Sequence, residues 1–263
     1  MEKYRDLEII TDCLFPSDND AEIPTLDLSM QALSADIPFL AFGEQRRTFN
    51  LNHTGSLHFY VDDYRFNAVY EHPERILQHN PLNIVEPNFS LYAETPIAFG
   101  LQAIYKKRWI ARAMQERGVR VFVDLNVNEK FYKMNMLGVP EGWRAFATRG
   151  YSDRLNSLKY EYMIAQHWAG GKKPIFVIYG GGRACRDFAK ANGCIYINPV
   201  IKVKNQLRAM QRIEEEGVAF LGEEFSVKRL EQEIISKQVE AFPTAQIENK
   251  RKITKANKGG KTS

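Results

Sequence analysis

Three cysteines in 263 residues, Cys13, Cys185 and Cys194, are too few and too far apart for a disulfide framework or a zinc site, so they read as reduced structural thiols. No apolar run approaches the roughly 20 residues that cross a bilayer, and Met1 to Arg5 lead into acidic sequence instead of the apolar centre of a signal peptide. The expectation is a cytoplasmic chain with no membrane partner. Walker, GxGxxG and GxSxG sequences are also missing, which removes the common nucleotide-binding and serine-hydrolase signatures. The five histidines, His53, His58, His72, His79 and His167, are scattered without ligand spacing. Acidic residues are missing from one place in particular: residues 249–263 hold Lys250, Arg251, Lys252, Lys255, Lys258 and Lys261 and neither aspartate nor glutamate. Taking those six from the 36 Lys and Arg leaves 30 cations against 32 acids, a net of −2 for the first 248 residues. The overall +4 therefore belongs to the tail.

What is present is ample material for a packed core, 44% hydrophobic and 12% aromatic residues. Residues 82–125 organise it. Ile84 and Val85 open an apolar run, Thr95 is placed to cap a helix, and Pro96 suits the first helical turn, where its missing N–H is no loss. Ile97, Leu101, Ile104 and Tyr105 recur at helical spacing; Gly118 can end the helix in a left-handed conformation, and Val119 to Val123 form a β-branched run. Two strands joined by such a helix should lie parallel.

The scheme repeats along the chain. Residues 56–66 alternate Leu57, Phe59 and Val61 against His58, Tyr60 and Asp62, predicting a strand with Asp62 and Asp63 at its carboxyl end. A short helix is expected over Asn67 to His79, a strand over 143–152, a helix over Leu155 to Trp168, a strand over 174–179, a helix over 183–191 and a strand over 194–198. Residues 1–55 read as an irregular N-terminal layer, with only TLDLS and IPFLAFGE strand-like; 56–200 form the α/β core; 201–242 are charged C-terminal helices; and 243–263 are a disordered basic tail. The fold class is α/β with a predominantly parallel sheet and helices, closing into an incomplete or irregular barrel, with an open doubly wound sheet as the alternative.

The segments HFYVDDYRF, PNFSLYAETP and YKKRWIARAMQERGVRVFV resemble a family of proteins encoded mostly by bacteriophages, plasmids and other mobile elements, domain of unknown function 4417. The resemblance covers roughly residues 55–200. The chain departs from the family pattern at Asn88, where aspartate is usual. The resemblance implies a mobile-element setting and no particular activity.

Three groups of residues are candidates for chemistry. Ligands of parallel α/β sheets bind outside the carboxyl ends of strands, where Asp62, Asp63, Glu86, Asn88, Ser90, Asp124, Asn126, Thr148 and Arg149 are expected. Asp62, Asp63, Asp124 and Arg149 there are candidate catalytic groups, and converging carboxylates suit a divalent metal or an acid and base pair. Gly180, Gly181, Gly182 and Arg183, between a strand and a helix, suit a phosphate. Lys106, Lys107, Arg108 and Arg112 on the long helix, with Tyr105 and Trp109 between them, suit nucleic acid together with the basic tail. The leading reading is DNA or RNA association; the alternative is an enzyme acting on a phosphorylated or nucleotide ligand at the strand ends.

Overall fold

Short runs of β-branched and aromatic residues, each bounded by glycine, proline or polar turns, form the strands. The computed structural model describes residues 14–43, 50–199, 236 and 238–241, divided between two units, Met1–Arg149 with Asn156–Phe176, and Gly150–Leu155 with Val177–Ser263.

In the first unit β1 (Phe39–Ala41), β2 (Ser56–His58), β3 (Asn83–Val85), β4 (Arg120–Asp124) and β5 (Ala145–Arg149) lie side by side in chain order. Every pairing is parallel, with Leu40 opposite Leu57, Leu57 opposite Ile84, Val85 opposite Phe122 and Asp124 opposite Ala147. Strands added in one direction build the wall of a barrel; a doubly wound sheet would reverse the order partway. The class is α/β with a parallel, incomplete barrel-like sheet. Leu57, Phe59, Ile84, Val85, Val121, Phe122, Val123 and Phe146 are all fully buried, and each contributes on the order of 2 kcal/mol through area removed from water. Helix α1 is the single turn Glu74–Leu77, and α2 spans Ile97–Gln115 between β3 and β4 as the sequence predicts. A second single turn, α3 (Tyr132–Asn135), precedes β5. Helix α4 (Leu155–Trp168) buries Leu158, Tyr162 and Ala165.

In the second unit β6 (Ile175–Tyr179), which begins in the first unit, pairs in parallel with β7 (Ile195–Ile197) through α5 (Gly182–Asn192). β8 (Val239–Ala241) then pairs antiparallel with β7.

The structure corrects the sequence reading in several places. Within TLDLS the chain turns through Leu28–Met30 as a 3-10 helix capped by Asp27, whose carboxylate accepts from the Ser29 N–H at 2.8 Å. β2 stops at His58, and Asp63–Arg65 is a 3-10 turn with Asp62 before it, so neither aspartate ends a strand. The helix expected over Asn67 to His79 is broken into Asn67–Val69 and α1. Thr95 does not cap α2; its hydroxyl accepts from the Tyr92 N–H at 3.0 Å, and Pro96 holds the cap position. Val239–Ala241 is strand where helix was expected. Gly118 has φ +80°, the left-handed conformation expected of it. The basic tail and most of residues 201–242 lie outside the described residues.

Candidate functional site

Two carboxylates at the ends of β3 and β4 and two cations of α2 meet inside the first unit. Glu86 and Asp124 are fully buried; Lys107 and Arg108 are 2% and 0% exposed. The helical stripe explains their meeting, because Lys107 and Arg108 follow buried Ile104 by three and four positions and precede buried Ala111 by the same intervals. They therefore lie on the face that α2 turns to the sheet. The Arg108 guanidinium pairs with Glu86 and donates to the carbonyls of Leu137 at 3.1 Å and Asn135 at 2.5 Å. The Lys107 ammonium donates to the Asp124 carbonyl at 3.0 Å and stands 3.5 Å from Asp124 Oδ2 and 3.9 Å from Glu86 Oε2. Burial pulls the pKa of both cations down, and the two carboxylates oppose that shift.

The remaining valences of the carboxylates are taken up locally. The Tyr60 hydroxyl donates to Asp124 Oδ1 at 3.1 Å, Asn88 Nδ2 to Oδ2 at 2.8 Å, and the Asn126 N–H to Oδ1 at 3.1 Å. The Asp124 N–H donates to Glu86 Oε2 at 3.2 Å, and Asn135 Nδ2 to the Asp124 carbonyl at 2.9 Å. Asn126 Nδ2 in turn donates to Asn88 Oδ1 at 3.1 Å. Two acids and two bases, mutually paired, need no metal to neutralise them. Tyr60 and Asn135 join the site beyond the sequence expectation: Tyr60 is a polar member of the alternating segment 56–66, whereas nothing in the sequence points to Asn135.

The expectation that α2 offers Lys107 and Arg108 to nucleic acid is thus corrected: their charges are spent on Glu86 and Asp124. Of the same helix, Lys106 is half-buried with its ammonium 5.4 Å from the centre of the Tyr70 ring, and Arg112 pairs with Glu116 at 2.5 Å. Asp63 does not point into the core. It is half-exposed and accepts from both the N–H and the hydroxyl of Ser90 at 2.9 Å, while exposed Asp62 lies 3.9 Å from Arg65. Asp62, Asp63 and Asp124 are held by different partners. Among the described residues no three His, Cys, Asp or Glu side chains are grouped as a metal would need.

An open groove of about 670 Å³ lies beyond the ends of β2 and β3, bordered by Asp63, Tyr70, Phe89, Ser90, Phe99 and Lys106. Phe99 is 64% exposed, and Tyr64 and Tyr92, next in sequence to the groove residues Asp63 and Leu91, are 71% and 65% exposed.

The glycine turn has a packing role of its own. Gly180, Gly181 and Gly182 have φ of +74°, +85° and +73°, and a Cβ on Gly181 would lie 2.4 Å from Cys185 Sγ and 2.6 Å from the Gly150 carbonyl carbon. The Gly180 N–H donates to the Ile197 carbonyl at 2.9 Å, and exposed Arg183 stands 3.6 Å from Asp187.

His58 is fully buried at the end of β2, with its ring 5.3 Å from that of Phe39 and Nδ1 accepting from the Tyr60 N–H at 3.2 Å. Burial, reinforced by the positive charge of Arg149, pushes its pKa down to about 3. The imidazole is therefore neutral in the folded chain and has its ordinary affinity for protons when unfolded. Between about pH 6.5 and 3 the unfolded state binds more protons, so this contribution is complete above pH 6.5 and is lost as pH falls, by about 1.4 kcal/mol per pH unit. Urea unfolding at pH 7 and pH 5 should show the loss in the unmodified chain, about 2 kcal/mol, and a smaller loss in His58→Asn. Equal slopes in the two proteins would contradict the assignment.

The fold and its internal charge cluster define an α/β protein whose parallel strands end in polar residues. The chain belongs to the family described as domain of unknown function (DUF4417), which matches residues 15–189. It is similar to the "Gene 1 protein" of Mycobacterium phage D29, 33% identical over 139 residues, covering 51% of each chain. The "Gene 1 protein" of Mycobacterium phage L5 is 34% identical over 148 residues, covering 54% of this chain and 65% of that protein. The chain thus spans about half to two-thirds of the length of these relatives, and the phage setting implied by the sequence resemblance is theirs. No solved structure matches.

Proposed function

We propose that this chain is a nucleic-acid-associated protein of a mobile genetic element, engaging single-stranded DNA or RNA. The observation that carries the reading is the separation of charge: six cations without an acid in residues 249–263, joined to 248 residues of net charge −2. A segment of that composition neutralises phosphates and releases their counterions. The groove beyond β2 and β3 suits the other half of the ligand. Phe99 presents an exposed ring there and Lys106 a cation, while Asp63 and Glu71 disfavour phosphate, so a base fits the groove better than the backbone does.

This division of labour gives a specific test. Phe99→Ala should weaken binding of a labelled 20-residue oligothymidylate about tenfold, within the ~1–3 kcal/mol range of base stacking. The dependence on salt should stay as it was, because stacking releases no counterions. Unchanged affinity would remove the groove from the reading and leave the tail alone.

The enzyme alternative retains less support. Of its candidate catalytic carboxylates, Asp124 is buried and paired with Lys107, Asp63 accepts from Ser90, and Asp62 lies 3.9 Å from Arg65, while Gly181 answers to packing against Cys185 and Gly150.

A further inference from the structure

The groove beyond β2 and β3 offers a hydrogen-bonding pattern as well as the exposed Phe99 ring. One border of it is helical: the 3-10 turn Asn67–Val69 runs into a turn that the His72 N–H closes onto the Ala68 carbonyl at 2.9 Å. Asn67 and Glu71, both lining the groove, lie four positions apart along this border, a spacing that makes their side chains neighbours. Both are exposed, and among the described residues neither side chain has a hydrogen-bond or ion-pair partner. Other polar groups of the groove are committed. Asp63 accepts from the N–H and hydroxyl of Ser90, the Thr95 hydroxyl accepts from the Tyr92 N–H, and Gln102 has its own partner in the chain.

An amide beside a carboxylate presents one donor next to two acceptors, because both carboxylate oxygens accept. Guanine carries the complement on its Watson–Crick edge: O6 accepts, while N1–H and the 2-amino group donate side by side. Adenine and cytosine set a single donor beside an accepting ring nitrogen, and thymine flanks its one N–H with two carbonyls. Each of these three bases would turn an acceptor toward the carboxylate. We propose that the groove prefers guanine, with Glu71 accepting from N1–H and the 2-amino group, Asn67 donating to O6, and Phe99 stacking on the ring. The inference rests on the groove being a base site and adds which base it takes.

The test measures the full chain against three labelled 20-residue strands: oligothymidylate, the same strand with guanine at every fourth position, and that strand with hypoxanthine, which lacks the 2-amino group, in place of guanine. The guanine strand should bind about tenfold more tightly than oligothymidylate, within the discrimination of a bidentate contact, and the hypoxanthine strand should lose most of that gain. The ratio should hold across about 50–200 mM salt, because the added bonds neutralise no phosphate. In Glu71→Gln, whose amide turns a donor toward the donors of guanine, the guanine strand should fall to within about twofold of oligothymidylate measured on the same variant. Glu71 is exposed, so the variant should keep the circular dichroism of the unmodified chain. Equal affinity for all three strands, equal affinity for the guanine and hypoxanthine strands, or a Glu71→Gln variant that keeps the full ratio overturns the guanine assignment and leaves the nucleic-acid reading standing. Absence of binding to every strand overturns both.

Discussion

Replacing Arg108 by methionine should destabilise the protein by about 3–5 kcal/mol, the usual consequence of leaving a buried carboxylate without its partner. That is a large share of the roughly 5–15 kcal/mol by which domains are stable. Arg108 has no exposed surface; it pairs with Glu86 and satisfies the carbonyls of Asn135 and Leu137 at the end of α3. Without it, Glu86 keeps the Lys107 ammonium only at 3.9 Å, and the buried carbonyl of Asn135 and the part-buried one of Leu137 lose a donor. Methionine preserves most of the apolar volume, so the effect is one of charge and hydrogen bonding more than of cavity formation. Glu86→Met combined with Arg108→Met should be less damaging than the sum of the two single changes, because the pair then disappears together. The double variant still leaves the Asp124 N–H without the acceptor it has in Glu86 Oε2, so it should not return to full stability. Chemical unfolding of the four proteins measures the coupling. A loss below about 1 kcal/mol in Arg108→Met would show that Glu86 is not the buried salt-bridge partner described.

The same cluster shows what the sequence could reveal. That Glu86 and Asp124 would end parallel strands followed from β-branched runs on either side of a helix, a local pattern. Their partners were harder to recognise, since Lys106, Lys107 and Arg108 form a continuous basic run that looks like a solvated helix face. The apolar spacing of Ile104, Ala111 and Met114 nevertheless places Lys107 and Arg108 on the inward stripe, and a cation there requires a buried acid. Elements with both a clear period and a clear stop were legible to the residue or nearly so: α4 spans Leu155–Trp168 as expected, and α5 begins at the glycine turn. β2 was overextended because alternation continues through Asp62 after strand pairing has ended; only Ser56 and Leu57 pair with β3. Side-chain alternation records which way residues point, and a 3-10 turn following a strand leaves it unbroken for several positions. The exposure of Tyr160 and Met163 on α4 was also hidden, since a helix apolar on two sides reads in sequence as one that is wholly buried.

Removing residues 249–263 should have the largest effect on function, and it bears on the central claim that phosphate neutralisation resides in the tail. Each cation that neutralises a phosphate of a single strand contributes about 0.7 to the slope of log affinity against log salt. If all six act, the truncated chain should lose about four units of slope, and its affinity should fall most at low salt, where counterion release favours binding most strongly. The folded body retains Phe99 and Lys106 at the groove, so weak binding with little dependence on salt should remain. The decisive measurement is therefore the affinity of the full chain and of residues 1–248 for one labelled single strand across about 50–200 mM salt. Tight, steeply salt-dependent binding by the full chain and weak, nearly flat binding by the shortened one is the expected result; superimposable curves from the two proteins would contradict the account.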